Sequence, residues 1–343
     1  MQLNDFEYSL PVDLIAQEPA ERRELSRMLV VDRTTGSFHD DAFANFPERL
    51  RTGDVLVLNN TKVFPARLFG RSETGARVEI FLVDQISDTS WVALARPARR
   101  LHTGKRIDFG SELNGSIVEV RPDGRVVVEF YFDGEFEDIL SRAGRTPLPP
   151  YIKRDSTAID TDRPRYQTVY AKSSGAIAAP TAGLHFTDEV LERIRANGVE
   201  IVEVTLHVGY GTFEPVRAED LSQHSVLPER YEISDPAANA LNRARAEGRR
   251  IVAVGTTTTR TLESVVAKHD GFVGGGDLAE LTITPGYRFK AVDAMLTNFH
   301  LPRSSLLILV STFGGHELIM DSYRHAVASG YRFYSYGDCM FIE

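Results

Sequence analysis

Between residues 77 and 132 the chain offers five short segments that read as β-strands: 77–85, 90–96, 105–109, 116–121 and 125–132. Several alternate apolar and polar residues, and the pairs Asn114-Gly115 and Asp123-Gly124 mark tight turns between them. Short strands packed so closely along the sequence can bury a core only by curling into a small antiparallel barrel or sandwich. The block ends in a brief helical stretch, Glu135 to Arg142, and a stiff exit at Thr146-Pro-Leu-Pro-Pro150. The chain before and after this block has a different texture, and that contrast limits the fold more than any other feature.

Ahead of the block, Arg27–Asp32 and Asp54–Leu58 read as strands, the second closing on Asn59-Asn60-Thr61. After about residue 165, helix and strand alternate. Asp188–Ala196 is predicted as a helix with Thr187 as its N-cap and Gly198 as its stop. The strand Val199–Val208 follows. A second unit has Asp235 as cap, Pro236 at the first helical position and Gly248 as stop, then the strand Arg250–Val254. The loop Gly255-Thr-Thr-Thr-Thr leads into a helix over Arg260–Lys268, and Gly274-Gly-Gly276 reads as a flexible surface loop. This alternation predicts an α/β large domain with a mixed sheet and helices, interrupted by an inserted small antiparallel β-barrel domain. Residues 1–61 and 150–343 would form the discontinuous α/β catalytic domain, and 62–149 the inserted barrel.

Composition excludes several classes. Of 343 residues, 42% are hydrophobic and 25% charged, which is ordinary for a soluble globular protein. A single cysteine, Cys339, rules out an intramolecular disulfide and a cysteine-based zinc site, and fits a reducing cytoplasm. There is no signal-peptide pattern, and the longest apolar run, Leu306–Val310, is far too short for a membrane span. A cytoplasmic protein with no membrane partner is expected, as a monomer rather than an obligate oligomer. Net charge is −9, so nothing draws the whole molecule to nucleic acid. Locally the balance reverses: between Thr89 and Ile107 there is no acid, while Arg96, Arg99, Arg100, Lys105 and Arg106 cluster beside His102. Such a tract is either a solvated rim or a phosphate-contacting ridge.

Four short loops rich in Gly, Thr and His fall at predicted element ends: Gly175–Thr187, Thr205–Phe213, Gly255–Arg260 and Leu296–Pro302. Ligands on α/β sheets bind beyond the carboxyl ends of the strands, where such loops sit. Three of them carry a histidine: His185, His207 and His300. A lone histidine is more often structural than catalytic, but the shared setting makes these three the candidate catalytic residues. As a metal site they lack any paired spacing on one helix. Val208-Gly-Tyr-Gly211 fails as a dinucleotide fingerprint, and the Gly255 loop lacks the lysine of a phosphate-binding P-loop. A metal-dependent hydrolase built on the three histidines and a non-catalytic RNA-binding protein remain as alternatives. The aromatic string Tyr331-Arg-Phe-Tyr-Ser-Tyr336 reads as a core strand.

Long strings in the chain carry a resemblance. They include Phe6-Glu-Tyr-Ser-Leu-Pro11, Asp54-Val-Leu-Val-Leu-Asn-Asn-Thr-Lys-Val-Phe-Pro-Ala-Arg-Leu68 and Ala179-Pro-Thr-Ala-Gly-Leu-His-Phe-Thr187. Thr205-Leu-His-Val-Gly-Tyr-Gly-Thr-Phe213 and Asp293-Ala-Met-Leu-Thr-Asn-Phe-His-Leu-Pro302 continue it. Together they resemble the S-adenosylmethionine:tRNA ribosyltransferase-isomerases of queuosine biosynthesis, nearly end to end. The resemblance implies a two-domain fold with an inserted barrel, and transfer and isomerisation of the ribosyl part of S-adenosylmethionine. The acceptor would be a 7-aminomethyl-7-deazaguanine base at the tRNA wobble position, and the products epoxyqueuosine-tRNA, adenine and methionine. S-adenosylmethionine would be a co-substrate and no metal would be needed. Within that frame His185, His207 or His300 would supply the base, and Thr256, Thr257 and Arg260 would meet the methionine carboxylate. Asn59, Asn60 and Asn298 would face ribose or base edges, with Thr181, Gly209 and Thr212 in the same substrate loops. Arg27 and the tract from Arg96 to Arg106 would contact tRNA phosphates. One position departs: where the family commonly reads His-x-Met-His-x-Glu, this chain has His224-Ser-Val-Leu-Pro-Glu229, with Leu227 in place of the second histidine.

Overall fold

Alternation of apolar residues decides which way each side chain of the central sheet points. In a computed structural model that describes residues 1–110, 112–154, 160–213, 216 and 218–343, Val55, Val57, Ile251, Ala253 and Met295 pack into one core. Their neighbours Leu56, Leu58, Val252, Val254, Ala294 and Leu296 pack into another, on the opposite face. Strands buried on both faces read as unbroken apolar runs, as these do. The helices Asp235–Ala246, Thr256–His269, Ser305–Gly314 and His316–Ala328 supply the first core, through residues such as Leu241, Leu262, Leu307 and Ile319. Asp188–Ala196, with Phe43, Phe46 and Phe186, supplies the second.

The sheet has nine strands in the order Gly275–Ala279, Glu229–Ile233, Glu200–Leu206, Val55–Asn59, Ile251–Val254, Ala294–Asn298, Cys339–Ile342, Arg27–Asp32 and Ser37–Ala42. The third to sixth of these run parallel to one another. Cys339–Ile342 runs antiparallel to Ala294–Asn298, pairing Cys339 with Asn298. The mixed sheet is therefore as expected, and its parallel centre leaves four strand ends along one edge.

Six antiparallel strands close into a barrel: Arg67–Ser72, Arg77–Gln85, Ser90–Arg96, Arg106–Asp108, Asn114–Val120 and Val126–Tyr131. Five coincide with the expected segments. The sixth, Arg67–Ser72, hides from pattern reading because Gly70 interrupts its apolar face. A methyl there would stand 2.7 Å from the Asp108 carbonyl, so the close barrel packing requires the glycine. The helix Phe136–Ala143 plugs the barrel with Ile139 and Leu140. The connection to the barrel leaves the sheet just beyond Asn59, at the edge where the parallel strands end.

Several local expectations shift. Asp188–Ala196 and its Thr187 cap are as read, the cap oxygen accepting from the Val190 amide at 3.3 Å. Ser234, not Asp235, caps the next helix. The threonine run is not a loop: helix begins at Thr256, immediately after Gly255, whose φ is 94°. Thr258 and Thr259 donate to the carbonyls of Val254 (2.7 Å) and Gly255 (3.1 Å), which lets hydroxylated β-branched residues sit in a first helical turn. Gly275 and Gly276 are no loose loop but part of an edge strand paired with Glu229–Ile233. Tyr331–Tyr336 forms a turn rather than a strand, apart from a bridge between Phe333 and Ile15.

Candidate active site at the ends of the parallel strands

The four parallel strands end, in spatial order, at Leu206, Asn59, Val254 and Asn298. Along that edge lies a cleft of about 630 Å³, lined by Ala178–Ala182, Val208, Gly255–Thr257, Thr297–His300 and Leu306. Tyr151, Tyr166, Tyr334 and Ser335 form its aromatic side. A second lobe of about 570 Å³ is lined by Gly211, His224, Leu227, Glu229, Arg260, Thr282, Ser305 and Leu309, among others. Thr256, Thr257 and Leu306 line both lobes. The helix that starts at Thr256 has no side-chain cap, so its first-turn amides and the positive end of its dipole face this shared ridge.

The three histidines are not gathered in one place. His300 lines the first lobe, with Nε2 2.8 Å from the Thr297 hydroxyl, and its backbone is held by the hydroxyls of Tyr8 and Tyr323. Burial pushes its pKa down to about 3, so the ring is neutral. His185 lies one layer behind: Nδ1 is 3.0 Å from the Ser26 hydroxyl and Nε2 is 3.3 Å from the Asn298 amide nitrogen. Burial, together with Arg23 and Arg332, also lowers its pKa to about 3. His207 is half-buried on the far side of Thr61, 2.8 Å from that hydroxyl, and its pKa is lowered by burial and by Arg230. Among the described residues no group of three His, Cys, Asp or Glu side chains gathers as a metal site would require. The histidines at 185, 207 and 300 therefore do not form the metal centre that the hydrolase alternative needs.

The remaining expected residues divide. Thr181, Thr256, Thr257 and Asn298 line the first lobe. Asn59 sits behind it as a clamp between strands, its amide exchanging two 3.0 Å hydrogen bonds with the backbone of Leu206. Asn60 turns away, bonded to Glu203 and Thr205. Gly209 donates its amide to Glu229 at 2.9 Å. The Thr212 side chain lies outside the described residues, as does that of Arg100. Arg260 is largely taken up by the protein: it pairs with Glu229 at 2.7 Å and donates to the carbonyls of Leu227, Ala279 and Leu281. Its guanidinium braces the second lobe more than it reaches into it.

Pattern reading missed the tyrosines. Tyr331 and Phe333 are core, as expected, but Tyr334 and Ser335 turn toward the cleft. Tyr334 has a φ of 75°, unusual for a bulky residue and a common mark of functional sites. The signal available in the sequence was the company of Ser335 and Gly337 within an otherwise apolar string.

The basic tract lies on the barrel, at the end of Ser90–Arg96 and across to Arg106–Asp108. Arg96, Arg99 and Arg106 are exposed and Lys105 is half-buried. Arg27 is on the sheet instead, stacked 3.7 Å from the Tyr331 ring and donating to the Ser329 carbonyl at 2.8 Å.

A family model described as "Queuosine biosynthesis protein" matches residues 3–342. This chain belongs to that family. It is 48% identical over 344 residues to the S-adenosylmethionine:tRNA ribosyltransferase-isomerase of Desulfitobacterium hafniense, covering all of both chains. With the enzyme of the same name from Symbiobacterium thermophilum the identity is 50% over 345 residues, again at full coverage. The crystal structure of S-adenosylmethionine tRNA ribosyltransferase from Thermotoga maritima matches with a TM-score of 0.56 and 34% identity, over 99% of this chain and 100% of that one. Queuosine-family membership agrees with the large mixed sheet and the inserted closed barrel.

Proposed function

We infer that this chain transfers and isomerises the ribosyl moiety of S-adenosylmethionine onto the 7-aminomethyl-7-deazaguanine base at the wobble position of tRNA. The products are epoxyqueuosine-tRNA, adenine and methionine. Full-length identity near one half to relatives named for this activity carries the reading. The two-lobed cleft at the strand ends agrees with it, offering one compartment on each side of a helix N-terminus.

The chemistry suits a site with neutral imidazoles. The sulfonium of S-adenosylmethionine acidifies its C5′ hydrogens, so the protein need only position a base. Loss of that proton drives ribose opening and departure of adenine; the acceptor amine then attacks, and epoxide closure expels methionine. His300 is the histidine that lines the cleft, and we assign it the role of base. Its low pKa keeps it unprotonated when substrate arrives, although a base works best when its pKa lies nearer the working pH. The first-turn amides at Thr256 and Thr257 suit the methionine carboxylate.

The exposed arginines of the barrel are assigned to phosphates of the tRNA anticodon arm. No helix among the described residues is long and apolar enough to cross a membrane, and tRNA modification suits the cytoplasm. Incubation with S-adenosylmethionine and precursor tRNA should release adenine; release without tRNA, or none with it, would overturn the assignment.

A further inference from the structure

Asn298 is 2% exposed, and its amide can point only one way. The nitrogen faces three groups: the Tyr334 carbonyl at 3.2 Å, the Asp338 carbonyl at 3.5 Å and Nε2 of His185 at 3.3 Å. Carbonyl oxygens only accept, so exchanging the amide oxygen and nitrogen would set oxygen against oxygen. His185 completes the arrangement. Held neutral by burial, it donates from Nδ1 to Ser26 and accepts from Asn298 at Nε2. The Asn298 oxygen is thereby turned the other way, in a residue that lines the cleft, and it is a buried acceptor with no partner in the protein. Such an oxygen is costly to leave unsatisfied, and a donor on a bound ligand would satisfy it.

Its surroundings indicate which ligand. Tyr166 lines the same lobe, its hydroxyl beside Ser335 and the Ala179 backbone. The Tyr151 and Tyr334 rings meet edge to face, 3.8 Å between centroids, and the positive φ of Tyr334 holds its ring there. The segment Ala178-Ala-Pro-Thr-Ala182 also lines the lobe, its small residues letting a flat ring approach the backbone. Planar surface and a fixed acceptor fit a nucleoside rather than an aliphatic amino acid.

We propose that the tyrosine-walled lobe is the subsite for the nucleoside half of S-adenosylmethionine, with the Asn298 oxygen accepting a hydrogen bond from a ribose hydroxyl or ring amine. His185 is a positioning residue that acts through Asn298. The proposal rests on S-adenosylmethionine being the substrate.

The test is calorimetric titration of the full chain with S-adenosylmethionine and with 5′-methylthioadenosine, which keeps the nucleoside and lacks the amino-acid end. Asn298→Ala should weaken both ligands by the same factor, about tenfold, and leave tRNA affinity unchanged. Tyr334→Gly suits the left-handed backbone, so it should fold even if Asn298→Ala does not, and should weaken methylthioadenosine by tenfold or more. His185→Leu should raise KM for S-adenosylmethionine more than it lowers kcat, and His185→Gln, which keeps an acceptor, should recover most of the loss. Unchanged methylthioadenosine affinity in Asn298→Ala and Tyr334→Gly would overturn the subsite, even if adenine were still released normally. Loss of nucleoside affinity in both variants, in a protein that releases no adenine with precursor tRNA, would keep the subsite and sink the functional reading.

Discussion

Arg260 and Glu229 form an ion pair of 2.7 Å whose side chains are only 11% and 6% exposed. Through it the first turns of the Thr256–His269 helix are fastened to the strand Glu229–Ile233, and further bonds to Leu227, Ala279 and Leu281 fix the wall of the second lobe. Removing one partner of such a pair leaves a buried charge uncompensated. Arg260→Met is expected to cost about 3–5 kcal/mol of stability in urea unfolding. Arg260→Lys keeps the charge but cannot reproduce the forked bonds, and should fall in between. If Arg260 instead gripped the methionine carboxylate, Arg260→Lys would raise KM for S-adenosylmethionine with little change in stability.

Two buried imidazoles make folding sensitive to mild acid. His185 and His300 have folded pKa values near 3, against about 6.5 in an unfolded chain. The unfolded state therefore binds the extra protons, so stability is complete above about pH 6.5 and falls as pH drops toward 3. Each residue contributes a loss of roughly 1.4 kcal/mol per pH unit inside that window. Urea midpoints measured at pH 7, 6 and 5 should fall accordingly, and His300→Gln should show a visibly shallower fall. A flat profile in the parent protein would contradict the burial of these rings.

The barrel arginines should show themselves through salt. If Arg99 and Arg106 each meet a phosphate, tRNA affinity falls steeply with added salt, and each alanine substitution reduces the log–log slope by about one. Both side chains are exposed, so thermal stability should stay as it is. Charge reversal at either position with unchanged tRNA affinity would remove this face of the barrel from the interface.

His207 can be tested through its neighbour. Gly175 has a φ of 146°, and a methyl built on it would stand 2.8 Å from the His207 ring. Gly175→Ala should push the ring away from Thr61 at a cost of about 1–3 kcal/mol. Should adenine release survive both Gly175→Ala and His207→Ala, His207 takes no part in the chemistry and serves only to close the Thr61–Val63 and Ser173–Ala176 strands.

The elements legible in the sequence were those with local causes. Thr187 and Gly198 delimit a helix because a cap oxygen and a left-handed stop act within a few residues. The Asn-Gly and Asp-Gly turns announce the barrel hairpins for the same reason. Where two local rules competed, reading slipped: the threonine run looked like a loop because hydroxyls usually favour turns, yet back-bonding to Val254 and Gly255 made it helix. The glycine-rich stretch at 274–276 looked loose, and only pairing with Glu229–Ile233 made it a strand.

Sequence alone determined the family, the mixed sheet with its inserted barrel, and the segments from which the cleft is built. It could not determine which side chains of those segments face the cleft. Asn59 and Asn298 both end parallel strands; one clamps the Leu206 backbone and the other lines the cavity. His185 and His300 sit in similar loops, yet one stands behind Asn298 and the other lines the wall. Those outcomes depend on partners as far away along the chain as Leu206 for Asn59 (147 residues), Ser26 for His185 (159) and Tyr8 for His300 (292). A pattern of neighbours along the chain carries no information about such contacts until the sheet is assembled.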